Sequence, residues 1–329
     1  MVNATQALNL VFEALVYPGL LFTIVLVIAT QWYSRKIAGR IQYRRGPTYT
    51  GPAGFLQPLA DLIKLVSKED LVNEYGLRKS PVVVAALAIG ALIALMLVTP
   101  LAYSPVMAPY DIIIVIYIIL LSPLALAYLA LSQPNPYSGL AVGRYLALLI
   151  SADPAYTAAL LTPIILAGRH FSTWFSLYAT STVADRLWIL SPASFIGMAL
   201  AAVGGFIGLL AILMIKPFDF PEAESELYWG LFTELGGPRL ALAFFLKFVE
   251  DILMPLIYVM LFLGGPWPAP YSNWWLSAIV VLLKYWVVLT IIRLIENSMP
   301  RYRPDQGVKF LWKYLYPISF LALIVAIIA

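Results

Sequence analysis

The stretch Pro81-Val-Val-Val-Ala-Ala-Leu-Ala-Ile-Gly-Ala-Leu-Ile-Ala-Leu-Met-Leu-Val-Thr-Pro-Leu-Ala-Tyr103 contains no charged side chain. It is far longer than the ~5–6-residue strand of an ordinary sheet, and about 20 apolar residues in a helix suffice to cross the ~30 Å hydrocarbon layer of a bilayer. Inside that layer the backbone finds no water, so a crossing segment must close its own hydrogen bonds, as a helix does. Seven more windows of this kind lie on either side: Ala14–Tyr33, Ile112–Leu131, Tyr145–Ala167, Pro192–Ile215, Leu240–Leu263, Trp274–Ile295 and Phe310–Ala329. The runs are too continuous for the alternating, ~10-residue strands of a membrane barrel. The expected fold is all-α, a polytopic membrane helical bundle of about eight transmembrane helices, forming one integral membrane domain over residues 1–329.

Composition agrees with this. Of 329 residues, 62% are hydrophobic and 12% charged, and the mean hydropathy is +0.87. A water-soluble globule of this composition would expose larger apolar patches than monomers tolerate. The formal net charge of +4 does not point to nucleic acid, because the basic residues sit between apolar runs, where they act as a topology signal. There is no cysteine and one histidine, His170. The chain alone therefore offers no thiolates for an iron–sulfur cluster, no usual zinc site and no bis-histidine haem. Any clusters used in electron transfer are expected on partner subunits, and no metal-ligating or catalytic residue is assigned. The first apolar run lacks a basic region ahead of it and is followed by Arg35 and Lys36, which reads as a retained anchor.

Basic residues also orient the bundle. Arg35, Lys36, Arg40, Arg44, Arg45, Lys64, Lys68, Arg78 and Lys79 follow the first span, and Arg301, Arg303 and Lys309 precede the last. Pro266–Asn273 carries no charge and Pro100–Asp111 only Asp111. The positive-inside rule then puts loops 34–80, 216–239 and 296–309 in the cytoplasm and both termini on the outer side of the cell membrane. Within the first loop Leu59, Leu62, Ile63, Leu65 and Val66 recur at helical spacing, with Asp61, Lys64 and Lys68 on the other face. That pattern predicts an amphipathic helix lying along the membrane or a partner.

The densest chemistry lies in Lys216-Pro-Phe-Asp-Phe-Pro-Glu-Ala-Glu-Ser-Glu-Leu227 and Glu234. Asp219, Glu222, Glu224, Glu226 and Glu234 crowd the end of the fifth span, and Pro221 suits the first turn of a short helix. Glu222 and Glu226, four apart, would share a helical face and titrate as a coupled pair. A run of acids is most simply a solvated loop, but Phe218, Phe220, Leu227, Tyr228 and Trp229 interleave with these and argue for partial burial. Charges also fall inside spans: Asp153, Lys247, Glu250, Asp251 and Lys284. Each costs on the order of 2.5–3.5 kcal/mol or more at membrane depth, so each should face protein, water or a counter-charge. The spacing allows Lys247 to pair with Glu250 or Asp251, as a structural ion pair or as part of a proton path. Asp153 has no local partner, since Arg144 points to the opposite helix face, and is the better relay candidate. Glu13, Arg293 and Glu296 lie near span ends, where they can snorkel; His170 is given no role.

Three stretches together resemble a known family. Arg35-Lys-Ile-Ala-Gly-Arg-Ile-Gln-Tyr-Arg-Arg-Gly-Pro47, continuing to Gly51-Pro-Ala-Gly-Phe-Leu-Gln-Pro-Leu-Ala-Asp-Leu-Ile-Lys-Leu65, resembles the first cytoplasmic loop of the H-subunit family of NADH-quinone oxidoreductases. Pro217–Leu227 resembles its acidic loop and Pro300-Arg-Tyr-Arg-Pro-Asp-Gln306 its last cytoplasmic loop. The family also includes anchor subunits of deazaflavin-linked dehydrogenases, membrane-bound hydrogenases and sulfur-reducing complexes. The resemblance implies a subunit, not catalytic alone, of an NADH-, deazaflavin- or ferredoxin-linked redox-driven ion pump of the complex I type. Its partners would be cluster-bearing peripheral-arm subunits, antiporter-like and small membrane subunits, lipid and quinone, the quinone sitting at the interface. It implies Arg40, Arg44, Arg45 and Asp61, with Phe218 and Phe220, at the quinone cavity. The proton path would hold Asp153, Asp219, Glu222, Glu224, Glu226, Glu234, Arg144, Lys247, Glu250, Lys284 and Arg293.

The chain departs from the family pattern at four places. Ser34 replaces a Glu before Arg-Lys, Asp153 stands where the pattern has Glu, Leu235-Gly-Gly-Pro-Arg239 replaces Tyr-Ser-Gly-Met-Arg, and Lys247 and Phe248 interrupt Ala-Glu-Tyr. These leave the acceptor open between quinone, protons and sulfur. The alternatives are the equivalent anchor of a hydrogenase or sulfur-reducing complex without quinone, and a stand-alone secondary transporter.

Overall fold

The structure, a computed structural model, describes residues 11–271 and 273–329. Among the described residues all regular structure is helical. The principal helices are α1 (Leu20–Ile41), α2 (Gln57–Val66), α3 (Ser80–Leu95), α4 (Asp111–Ala130), α5 (Pro136–Phe171), α6 (Pro192–Ile212), α7 (Gly237–Phe262), α8 (Trp274–Ser298) and α9 (Pro304–Ile328). A π-helical turn, Leu311–Leu315, interrupts α9. Seven of them, α1 with the residues from Val11, α3, α4, α5, α6, α8 and α9, are long and apolar enough to cross a membrane.

The remaining long helix, α7, has 26 residues, and every 18-residue window in it contains Lys247, Glu250 and Asp251. At ~1.5 Å per residue it is about 39 Å long, enough to span. It lies in the middle of the bundle, packed against α1, α2, α3, α4, α5, α6 and α8. Leu246, Val249, Ile252, Leu253 and Leu256 on it have no exposed surface. Around it, α5, α6 and α9 form one mutually packed group, α3 pairs with α4, and α1 pairs with α8. The helix that carries most charge is thus the one best sheltered from lipid.

Helix ends differ from the expected spans. Apolarity ends the first span at Tyr33, but α1 runs on to Ile41, so Arg35, Lys36 and Arg40 are helical and not in the loop. Similarly α5 begins at Pro136, nine residues before Tyr145, and carries Arg144, while α9 begins at Pro304 and not Phe310. Conversely α3 ends at Leu95 in a 3₁₀ turn, Met96–Val98, short of Tyr103. Hydropathy marks where lipid stops; a helix continues until capping or backbone chemistry stops it. At α5 that signal is Asn135, whose side chain accepts from the Tyr137 N–H at 2.7 Å ahead of Pro136, and at α6 it is Ser191 ahead of Pro192.

The amphipathic helix of the first loop is α2. Leu62 and Leu65 are half-buried, while Ile63 and Val66 remain exposed. Glu13 does not snorkel: it is 2% exposed and accepts from the Ser104 N–H and hydroxyl at 3.0 and 2.7 Å.

Candidate functional site

Five charged residues of the acidic loop are distributed by its backbone. Phe220–Glu222 is a 3₁₀ turn and Glu224–Leu227 a separate short helix, with Ala223 extended between them (φ −62°, ψ 100°). Glu222 and Glu226 therefore do not share a helical face, which corrects the coupled-pair expectation. Glu222 is ion-paired with Lys247 of α7, and Glu226 with Arg144 of α5 at 2.5 Å. Asp219 takes two hydrogen bonds from Arg301, both 2.7 Å, and Glu234 accepts from Asn135. Those hydrogen bonds, chiefly, hold the Arg301 guanidinium pKa above its ordinary value. Glu224 is exposed.

The loop then folds back on itself. Tyr228 and Trp229 occupy left-handed backbone (φ 51° and 91°), unusual for bulky residues, and the Thr233 hydroxyl bonds the carbonyls of Leu227, Tyr228 and Gly230. A Cβ on Gly230 would lie 2.0 Å from the Pro221 carbonyl oxygen at a φ of +59°, so only glycine fits there. This tight return delivers the Trp229 ring beside Phe244 on α7, 5.5 Å between centroids.

Trp229, Phe244 and Phe248 form the partition between two adjoining cavities, which share also Gln31 and Arg35 of α1. One, about 430 Å³, is roofed by α2 through Pro58, Asp61, Leu62 and Leu65 and is mainly apolar. The Arg35–Asp61 ion pair (2.6 Å) stands in its wall, with Gln57 donating to the other Asp61 oxygen at 2.8 Å. The second, about 280 Å³, is polar: Glu222, Lys247, Asp251, Arg293, Glu296 and Arg44 line it. Arg293, 7% exposed, bridges Asp251 (2.6 Å) and Glu296 (2.7 Å). It does not snorkel, and Lys247 pairs with neither Glu250 nor Asp251, because the return of the acidic loop and α8 supply closer counter-charges than α7 itself.

Other expected site residues fall elsewhere. Arg40 and Arg45 are exposed and line neither cavity. Phe218 packs on Tyr302 and Phe310, and Phe220 lies over Gly307, so both wedge the acidic loop against α9. Glu250 is 2% exposed behind the polar chamber, near Ser122 and Tyr145; among the described residues its Oε1 and their hydroxyls have no hydrogen-bond partner. Asp153 is half-buried in α5. The Lys284 ammonium donates to the carbonyls of Leu263, Gly265 and Trp267 at 2.6, 2.9 and 2.5 Å, beyond the end of α7 opposite to the cavities. Among the described residues no group of three His, Asp or Glu side chains is placed to hold a metal ion.

Gln31, Arg35, Trp229, Phe244, Phe248 and Arg239 are site residues to which the sequence reading assigns no place in the cavity or the proton path. Phe244 and Phe248 carry a signal, since a four-residue spacing sets two rings on one helical face, here stacked at 5.9 Å. Arg239 carries another: a cation in the first turn of a helix opposes the dipole and implies an acid partner. That partner is Asp70, which accepts from Arg239 Nε at 3.0 and 3.1 Å.

The family model described as NADH dehydrogenase matches residues 15–327. The H subunit of the NADH-quinone oxidoreductase of Thermomicrobium roseum is 31% identical over 308 residues, 88% of this chain and 87% of the relative. That of Syntrophotalea carbinolica is 32% identical over 328 residues, 93% of each. A chain of the membrane-bound sulfane sulfur reductase, an archaeal respiratory membrane complex, superposes with a TM-score of 0.75 at 27% identity, over 93% of this chain and 96% of that one.

Proposed function

We infer the function from one premise: this chain belongs to the NADH dehydrogenase family, as a membrane-anchor subunit of a complex I-type oxidoreductase. It is a multi-pass membrane protein that works with other subunits of a respiratory complex. We propose further that the larger cavity admits a quinone head group and that the polar chamber beside it begins the proton-coupling path. The observation that carries this reading is the adjacency of an apolar chamber of about 430 Å³ to a polar one holding the Glu222–Lys247 and Asp251–Arg293–Glu296 groups. Its volume falls in the ~300–1,000 Å³ range of ligand pockets. In this reading the electrons come from iron–sulfur clusters of a peripheral-arm subunit docked on the charged end, which faces the cytoplasm at the cell membrane.

Reduction of a quinone takes up protons as well as electrons. Beyond the Arg35–Asp61 pair in the chamber's own wall, the groups across the partition that can exchange a proton or shift their charge include Glu222 and Lys247, held together at 16% and 18% side-chain exposure. In so sheltered a place a charge appearing beyond the Trp229–Phe244–Phe248 partition is weakly screened, and the pair re-equilibrates. Glu250 behind the chamber and Asp153 further along α5 continue the path toward antiporter-like subunits. Arg144, Asp219, Glu224, Glu226 and Glu234 tune the loop that carries Glu222. Arg40, Arg44 and Arg45 offer charge to the docked arm, and lipid surrounds the rest.

A second reading is the equivalent anchor in a sulfur-reducing complex without quinone. It is favoured by the likeness to the sulfane sulfur reductase chain, and the departure at Lys247-Phe248 from the family's Ala-Glu-Tyr pattern leaves room for it. Assaying the purified complex for quinone reduction, hydrogen evolution and sulfur reduction separates the two, and quinone-dependent turnover is expected. In the same complex Glu222→Gln should lower the number of ions moved per electron; an unchanged ratio refutes the coupling role.

A further inference from the structure

Among the described residues Arg239 is the largest fully buried side chain, 1% exposed, in the first turn of α7. All of its bonds go to polar groups outside α7. Nε donates to both Asp70 oxygens at 3.0 and 3.1 Å, Nη1 to the Leu77 carbonyl at 2.7 Å and the Ser132 hydroxyl at 3.4 Å, and Nη2 to the Arg78 carbonyl at 2.7 Å. Four of its five contacts are thus to one stretch, residues 70–78, which has no regular structure of its own. The main chain just before that stretch lies directly on the helix start. A Cβ on Gly237, whose φ is +48°, would meet the Glu69 carbonyl oxygen at 2.6 Å.

This stretch connects α2 to α3, and α2 is the roof of the apolar chamber. Little else holds it: Ser67, Lys68, Glu69, Asp70, Leu71 and Tyr75 are exposed. Its other anchors, Leu77 N–H to the Ser132 carbonyl (2.8 Å) and Asn73 N–H to Gln133 Oε1 (3.0 Å), lie on the residues that follow α4. Segments with few buried contacts open at low free-energy cost. Meanwhile the chamber's opposing wall, Phe244 and Phe248, begins five residues beyond Arg239 on the same rigid helix, about 7.5 Å along it. The guanidinium therefore ties the roof's trailing connection to the helix that forms the floor.

We propose that Arg239 and Asp70 act as a latch that sets the gap between α2 and α7, making Arg239 a positioning residue for the acceptor in the apolar chamber. The inference rests on that chamber being the acceptor site, but the latch itself does not depend on which acceptor enters. With the latch closed, α2 holds Asp61, Leu62 and Leu65 across the chamber from Trp229, Phe244 and Phe248. Once it is open, α2 keeps its direct packing on α7 and the polar ties toward α1, the Arg35–Asp61 pair and, just before α2, Trp32 Nε1 donating to the Ala53 carbonyl at 3.0 Å. One Nε–H shared between the two Asp70 oxygens, with Nη1 and Nη2 each on a carbonyl, needs a planar fork of donors, so lysine is a poor replacement.

This chain has no cysteine of its own, so introduced thiols are its only labelling sites, and the complex with the unsubstituted chain, labelled in parallel, gives the background from partner cysteines. In the assembled complex, spin labels on Ile63→Cys of α2 and Tyr228→Cys beside α7, both exposed, should give a narrow distance distribution. Asp70→Asn should broaden it and raise the acceptor KM roughly tenfold, the loss of one charge-assisted hydrogen bond, with a smaller change in kcat; Asp70→Glu should restore both. Arg239→Lys should behave as Asp70→Asn. Should Arg239→Lys fail to assemble, Asp70→Asn, which keeps the carbonyl bonds, still decides. A distance distribution and KM unchanged in assembled Asp70→Asn overturn the latch. A broadened distribution in a complex that reduces no quinone would uphold the latch and refute only the quinone reading.

Discussion

At the scale of single residues, the polar chamber is organised by cross-pairing. Spacing alone pairs Lys247 with Glu250 or Asp251 on its own helix, yet it reaches Glu222 on the acidic loop, and Asp251 is taken by Arg293 of α8. A half-pair in a sheltered place is worse than none, because removing one partner leaves a charge without compensation, typically costing about 3–5 kcal/mol. Lys247→Met should accordingly destabilise the purified complex more than the double replacement Glu222→Gln with Lys247→Met. A double-mutant cycle on thermal unfolding should return a coupling of about 0.5–3 kcal/mol between the two positions. Additive effects would show that the pair contributes nothing in the assembled complex. The spacing of charges along α7 was legible in sequence, but their choice of partners was not, since those partners sit 25 and 42 residues away.

At the scale of elements, the acidic loop reads as one short helix with Pro221 in its first turn and folds as two short pieces broken at Ala223. Glu222 and Glu226 then face different helices and different cations. Replacing both by Gln should therefore change stability by the sum of the single effects, within about 0.3–0.5 kcal/mol, in contrast to the Glu222–Lys247 cycle. A larger non-additivity would mean that the carboxylates share a site after all. Similarly, α2 was visible as apolar residues at helical spacing. Its role as a chamber roof was not, because that depends on α1 and α7, which meet it from distant parts of the chain.

At the scale of the whole molecule, the basic loops and the chambers lie at one end of the bundle, and the positive-inside rule assigns that end to the cytoplasm. Single cysteines at Tyr75 and at Trp267, exposed positions on opposite ends of the bundle, should be labelled by a membrane-impermeant maleimide from opposite sides in intact cells and inverted vesicles. Labelling of both from one side would reverse or break the proposed topology. What the sequence by itself determined is the all-helical membrane bundle, its family and the end at which the chemistry gathers. These depend on long apolar runs, loop charges and local motifs, all of which are properties of neighbouring residues. The tertiary structure alone decided that α7, the most charged helix, sits at the centre. It also decided that Trp229, Phe244 and Phe248 divide two chambers, and that Arg239 holds the α2–α3 connection. A buried charge is tolerated only where groups from other segments surround it, and which segments those are is settled by packing and not by local order along the chain.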